Sequence, residues 1–231
     1  MCADTQQTLG NYNFSMKQCQ AIFLPNELYD NPIDWEIAAA DQLEKNTIDN
    51  LLWSDNEYTP EVSFSIAHTH KNILLKYNVS EQYLTARYRE INDPVFKDSC
   101  VEFFIAFDND DNYYNLEFNC LGTPLIAYGS GKDNRKKIEK RLAEKIKSYQ
   151  LIKNPIANQS SLINWELVLV IPFEVFAHHN ITTLKDRVCK ANFYKCGDDL
   201  PEPHFLSWNN INYPSPDFHL PQFFGGVHFV S

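Results

Sequence analysis

Methionine, glycine and positive charge are scarce in this sequence. Only 2 Met and 7 Gly occur in 231 residues, and 20 Lys and Arg face 30 Asp and Glu for a net charge of −10. So little glycine excludes a collagen-like chain, and 44% hydrophobic residues exclude a disordered one. An acidic surface repels a phosphate backbone, so nucleic acid is not an expected partner. No apolar run approaches the roughly 18 residues that a membrane helix needs, and no span is expected. The first ten residues lack a basic stretch followed by an apolar one. A native start would thus imply a cytoplasmic protein, and a trimmed one a periplasmic or secreted protein.

The cysteines also lack a pattern. Cys2, Cys19, Cys100, Cys120, Cys189 and Cys196 form no C-x-x-C pair and no zinc spacing. Buried free thiols are the expectation. Cys189 and Cys196 are seven apart, so one strand would point them to opposite faces. Cys100 with Cys120, each in an expected strand, is the one pairing left open.

Aromatic residues are abundant: 16 Phe, 12 Tyr and 4 Trp suit pleated surfaces better than a helical bundle. From Val62 the chain has period two. Alternation over 62–66, 73–79 and 84–88 predicts three half-buried strands. A hairpin, 100–107 and 113–120, follows around the turn-forming Asp108 to Asn112. Further strands are expected at 123–128, 163–171, 187–196 and 226–230, with one helical turn at 173–177. Ile138, Leu142 and Ile146 recur every fourth residue, which predicts one surface helix from Asp133 to Tyr149. That segment carries eight basic residues from Lys132 to Lys147, most simply a solvated helix face. The fold expected is a single all-β domain with minor α, over 1–231, in which 1–52 is the least defined part. Its architecture is an antiparallel β-sandwich, immunoglobulin-like or jelly-roll-like.

Alternation also assigns faces. Val101, Phe103, Ile105 and Phe107 share one side of their strand, leaving Glu102 with Cys100, Phe104 and Ala106. In the next strand Tyr114, Leu116 and Phe118 oppose Tyr113, Asn115, Glu117 and Asn119. Two carboxylates and two amides therefore share a sheet face, and Arg87 and Arg89 are their expected partners. An ordinary solvated face with ion pairs satisfies this pattern, and so does a sugar-binding groove, where carboxylates, amides and arginines hold hydroxyls against an aromatic plane.

The segment Asp98-Ser99-Cys100-Val101-Glu102-Phe103-Phe104-Ile105 resembles the D-S-x-E-F-F strand of family 9 carbohydrate-binding modules, especially their stand-alone bacterial relatives. Tyr113 to Asn119, Ala191 to Asp198 with its Asn192, Pro203 to Asn209 and Pro216 to Gly225 follow in matching order. The resemblance implies an antiparallel sandwich whose concave face binds the end of a sugar chain without cleaving it, in support of polysaccharide or oligosaccharide catabolism. The family's sugar-binding Glu falls at Glu102, and its two sandwiching Trp fall at Val95 or Phe96 and at about Phe218. Its Arg on the following strand falls at about Glu117. The site expected from both lines is Glu102, Glu117, Arg87, Arg89, Asn115, Asn192, Phe96 and Phe218, with no catalytic residue. The family's calcium would fall to Asp108, Asp110 and Asp111, which lack EF-hand spacing. Three other readings remain: a glycosidase using Glu102 and Glu117, metal or haem on His68 with His70 or His178 with His179, and a structural or protein-binding sandwich.

Overall fold

The computed structural model of the chain describes residues 16–25, 30–38, 43–54, 58–108, 110–153 and 162–231. Cys2 and part of the 1–52 stretch lie outside them. Fourteen strands and two short helices are described: β1 (Gln18–Phe23), α1 (Pro32–Ala38), β2 (Asn46–Thr47), β3 (Asn50–Leu52), β4 (Glu61–His68), β5 (Asn72–Glu81), β6 (Cys100–Ala106), β7 (Tyr113–Asn119), β8 (Pro124–Gly129), β9 (Lys136–Lys137), α2 (Lys140–Ala143), β10 (Lys147–Lys153), β11 (Ile163–Pro172), β12 (Arg187–Cys196), β13 (Phe205–Ser207) and β14 (Gly225–Phe229).

Hydrogen-bonded neighbours run in the order β10-β11-β5-β4-β1-β14-β12-β6-β7-β8-β9. The pairings are antiparallel except at β1, which lies parallel to β4 on one side and to β14 on the other. β1 thus stitches two layers of a β-sandwich. Period-two sequences bury one face of each layer in a shared core. Phe64 of β4 stacks on Phe193 of β12 with ring centroids 3.6 Å apart, and Phe103 of β6, the cross-strand neighbour of Phe193, stacks with it at 4.9 Å. Trp165, Leu167, Leu169 and Ile171 of β11 all enter that core. Where β14 meets β1, the backbone leaves no room for a side chain: a Cβ on Gly225 would lie 2.5 Å from the Lys17 carbonyl oxygen.

The expected helix over 133–149 is absent. Its residues form β9, the single turn α2 and β10. Ile138 and Leu142 are buried and Ile146 packs partly against the core, so the four-residue spacing marks inward positions without a helical backbone. Strand pairing wins: Lys136 and Lys137 pair with Tyr128 and Ala127, and β10 pairs with β11 along seven residues. β9 and β10 are the two ends of the strand order. The basic run therefore crosses from one sheet edge to the other, and its charges blunt exposed edges against further strand addition.

The expected strand at 84–88 is also irregular in backbone. The Asp98 carboxylate accepts hydrogen bonds from the backbone N–H groups of Arg87 and Tyr88, both at 3.0 Å, in place of a continued ladder. Cys100 and Cys120 do not pair. Cys100 faces the outer cluster of β6 and Cys120 the central core, so they lie on opposite sides of one sheet. The five described cysteines are free and buried, and Cys100 stands opposite Cys196 across β6 and β12.

Candidate functional site

The second face of the β12-β6-β7-β8 layer, opposite the core, holds a cavity of about 410 Å³. That size suits a small-molecule ligand. Glu102, Asn115 and Glu117 project into it from β6 and β7, and Leu125 and Ala127 from β8. Their alternation with core residues places them there, as the sequence predicts. Aromatic walls come from segments outside these strands: Trp53 after β3, Phe96 in the 3-10 turn Val95–Lys97, Phe205 of β13 and Phe218 in the loop before β14. Phe218 lies flat on Tyr194 at 4.2 Å, and Trp53 leans on Phe218 at 5.8 Å. Trp53 adopts a left-handed φ of 48°, held as its indole N–H donates to the Tyr213 carbonyl at 2.6 Å.

Glu102 and Glu117 are cross-strand partners, and both are buried at 3% and 5% exposure. Burial drives the Glu102 carboxyl well above the ordinary carboxylate range, and the neighbouring Cys196 and Glu117 push the same way. Burial raises Glu117 to about 7, against the opposing pull of Asn115 and Arg135. Glu102 Oε1 accepts from the Cys196 thiol at 3.1 Å, while Glu117 Oε1 accepts from Asn115 Nδ2 at 2.7 Å. Asn115 Oδ1 in turn accepts from Arg135 Nε at 2.8 Å. Arg135 is fixed by carbonyls of Gly129, Gly131, Tyr113 and Ala127 and lies over the Tyr113 ring at 4.3 Å. Asp198, raised to about 6 chiefly by burial and then by Asp199, adds a third acid to a lining that also includes Lys132 and Lys137. His219, depressed to about 3 by burial with Arg135 and Lys132 adding to it, stays neutral beside Tyr113.

The comparisons with known proteins match this architecture. The model of carbohydrate-binding family 9 matches residues 33–229. The chain belongs to carbohydrate-binding family 9. A "putative carbohydrate-binding protein" of Bacteroides uniformis ATCC 8492 is 35% identical, with a TM-score of 0.84 over 93% of this chain and 100% of that one. A family 9 module of Caldicellulosiruptor kristjanssonii solved with glucose gives a TM-score of 0.61 at 10% identity, over 93% of this chain and 96% of that one. Its cellotriose complex gives 0.59 at 10% identity, over 93% and 94%. At that identity the likeness shows the fold alone. No curated protein matches the chain.

Of the residues expected to form a family 9 site, the fold brings Glu102, Glu117, Asn115, Phe96 and Phe218 to one cavity. Arg87 and Arg89 are elsewhere. The Arg87 guanidinium turns to Asp199 at 3.1 Å and Asp98 at 3.7 Å, and Arg89 is exposed. Asn192 shares the sheet face but is consumed in structure: its amide holds the backbone of Asn209 through bonds of 2.9 and 3.0 Å. The arginine that serves the carboxylates is Arg135, hidden from sequence reading inside the apparent helix. Trp53 was also missed, since it lies outside any alternating segment.

Of the three aspartates to which the resemblance gives calcium, two already have partners. Asp108 pairs with Arg187, while Asp110 accepts from the Tyr128 hydroxyl and Asn112 and faces His179. Each of these two carboxylates already has a proton donor or cation, and no group of metal-ligating residues gathers there among the described residues. The histidine pairs do not make a metal centre either. His68 is buried at the end of β4 against the Val230 carbonyl, whereas His70 is exposed in the turn beyond. His179 meets the Tyr114 hydroxyl while His178 stacks on Tyr128.

Proposed function

We propose that this cavity binds a carbohydrate without cleaving it, on the face of the sandwich formed by β6, β7 and β8, and thereby serves the breakdown of oligosaccharides or polysaccharides by other proteins. One observation carries the reading: a row of polar acceptors and donors, Glu102, Asn115 and Glu117, faces the same open space as the rings of Trp53, Phe96 and Phe218. Sugars present hydroxyls at their edges and C–H groups on their faces, so such a site answers both. Family membership supports the ligand class. The carboxyls speak against hydrolysis, because they stand side by side on one wall, whereas a glycosidase needs them on either side of the scissile bond.

Calorimetry with glucose, cellotriose and a wider glycan panel tests the proposal, with calcium present and absent. Saturable binding to at least one glycan is expected, weakened by Glu102→Ala about tenfold to more than a hundredfold, or about 1.5 to 3 kcal/mol. No reducing sugar should be released. Absence of binding across the panel would refute the sugar reading, and reducing-sugar release abolished by Glu102→Gln would convert it to an enzyme.

A further inference from the structure

Beneath the cavity, β6 and β12 bring together three potential metal ligands that no sequence spacing announces. Cys100 and Cys196 are directly opposed across the two strands. Glu102 lies on the same face two residues beyond Cys100, and its Oε1 is 3.1 Å from the Cys196 sulfur. The two sulfurs and a carboxylate oxygen all lie within 4.8 Å of one another, and they form the one such group among the described residues. All three residues are at most 3% exposed, yet Glu102 and Cys196 also line the cavity, which supplies a route of entry.

We infer that Cys100, Cys196 and Glu102 form a binding site for a thiophilic divalent cation of the zinc class at the floor of the cavity. Around a tetrahedral zinc, bonds of about 2.3 Å to sulfur and about 2.1 Å to oxygen place two sulfurs about 3.8 Å apart and a sulfur and oxygen about 3.6 Å apart. The present separations, 3.1 Å between the Cys196 sulfur and Glu102 Oε1 and none above 4.8 Å, lie within about 1 Å of that geometry. The cation replaces the proton that Cys196 now shares with Glu102. The two thiol protons, with the proton that Glu102 carries in its neutral form, leave to solvent, two sulfur–metal bonds and one oxygen–metal bond form, and no electron is transferred. Two thiolates and an oxygen favour zinc or cobalt over calcium or magnesium, which take oxygen ligands.

A second observation points to the same place. Glu117 is 5% exposed, and its Oε2 has no hydrogen-bond partner. It stands opposite Glu102 on the cavity wall. A water in the fourth coordination position, facing the cavity, would be a donor for this oxygen. The divalent charge would also offset two buried carboxyls that otherwise face each other without a direct counter-ion.

Cobalt(II) is the probe. Reduced, metal-free protein is titrated with cobalt(II) and followed by the sulfur-to-cobalt charge-transfer absorption. One equivalent per chain is expected to bind, to be displaced by zinc, and to release protons. Cys100→Ser and Cys196→Ser should each weaken binding at least a hundredfold, while Cys120→Ser and Cys189→Ser leave it unchanged. Glu102→Gln preserves shape, and should weaken binding tenfold or more while the metal-free variant melts no lower than the metal-free wild type. Zinc should raise the melting temperature of the wild type and not of Cys196→Ser. No thiolate absorption in the reduced wild type, or absorption that survives Cys196→Ser in a folded protein, would overturn the assignment. So would a Cys100–Cys196 disulfide that resists reduction in the native protein. None of these readouts involves a sugar, so the two proposals stand or fall separately.

Discussion

Glu102 and Glu117 occupy directly opposite positions on neighbouring antiparallel strands, with the two carboxyls buried on the same face. Like charges so placed oppose strand pairing, and burial adds a desolvation penalty to each. The pair persists because one carboxyl takes a thiol hydrogen bond and the other an amide hydrogen bond backed by Arg135. A site in this state is stable when a proton is present and polar when a ligand arrives.

This pair makes stability depend on pH. An acid whose folded-state pKa is raised binds its proton more tightly folded than unfolded. Its contribution is therefore full below the unfolded value and is lost as pH climbs through the folded one. For Glu117 that window runs from the ordinary 4.5 to about 7. A shift of that size corresponds to about 3 kcal/mol, so unfolding free energy should fall by this order between pH 4.5 and pH 8. Glu102→Gln should flatten the profile and raise the melting temperature at pH 8. A steeper profile in the variant would contradict the assignment.

Arg135→Gln should damage the site more than Arg87→Gln. The former removes the donor that orients Asn115 and Glu117 along with four carbonyl contacts, and a tenfold or larger loss of sugar affinity is expected. Arg87 bonds acids outside the cavity, and its loss should leave affinity within about twofold. Calorimetric titration of both variants separates the two positions.

Trp53→Ala should weaken sugar binding by about 1 to 2 kcal/mol through loss of the aromatic plane. Trp53→Phe keeps a ring and should retain most of the affinity. Equal loss in both variants would point to the indole hydrogen bond with Tyr213 instead.

The two layers are also joined by charge. Lys195 of β12 lies 2.9 Å from Glu81 Oε2 of β5, both completely buried. The ammonium donates hydrogen bonds to the Cys196 carbonyl and His204, and its contact with Glu81 is off the line of a hydrogen bond, hence ionic. Trp165 donates to the other Glu81 oxygen at 2.7 Å. Lys195→Met should cost about 3 to 5 kcal/mol, because it strands a buried carboxylate, and adding Glu81→Gln should recover much of that. Denaturant melts of the single and double variants measure the difference.

Gly225→Ala should destabilise the protein by about 1 to 3 kcal/mol, since the new methyl meets the Lys17 backbone and the Trp208 ring. Hydrogen exchange in β1 should quicken with it. An unchanged melt would mean that β1 can move away from β14 at little cost.

Alternation along 100–107 and 113–120 was sufficient to put Glu102, Asn115 and Glu117 on one face, and alternation along 187–196 to separate Cys189 from Cys196, because period two is a property of each strand by itself. The quoted strand and loop motifs were sufficient to suggest the family, because its residues lie in order along the chain. Other outcomes depended on which distant segments meet. Ile138, Leu142 and Ile146 fit a helix, yet β8 and β11 offered edges whose hydrogen bonds and burial outweighed that local preference. Register between β6 and β12 placed Cys196, and not Cys120, opposite Cys100. The same long-range packing carried Trp53 and Arg135 to the cavity and left Arg87 outside it. A side chain's face is written in its own strand, but its neighbours across a sheet are set by the pairing of strands many residues apart, and only the folded chain decides that.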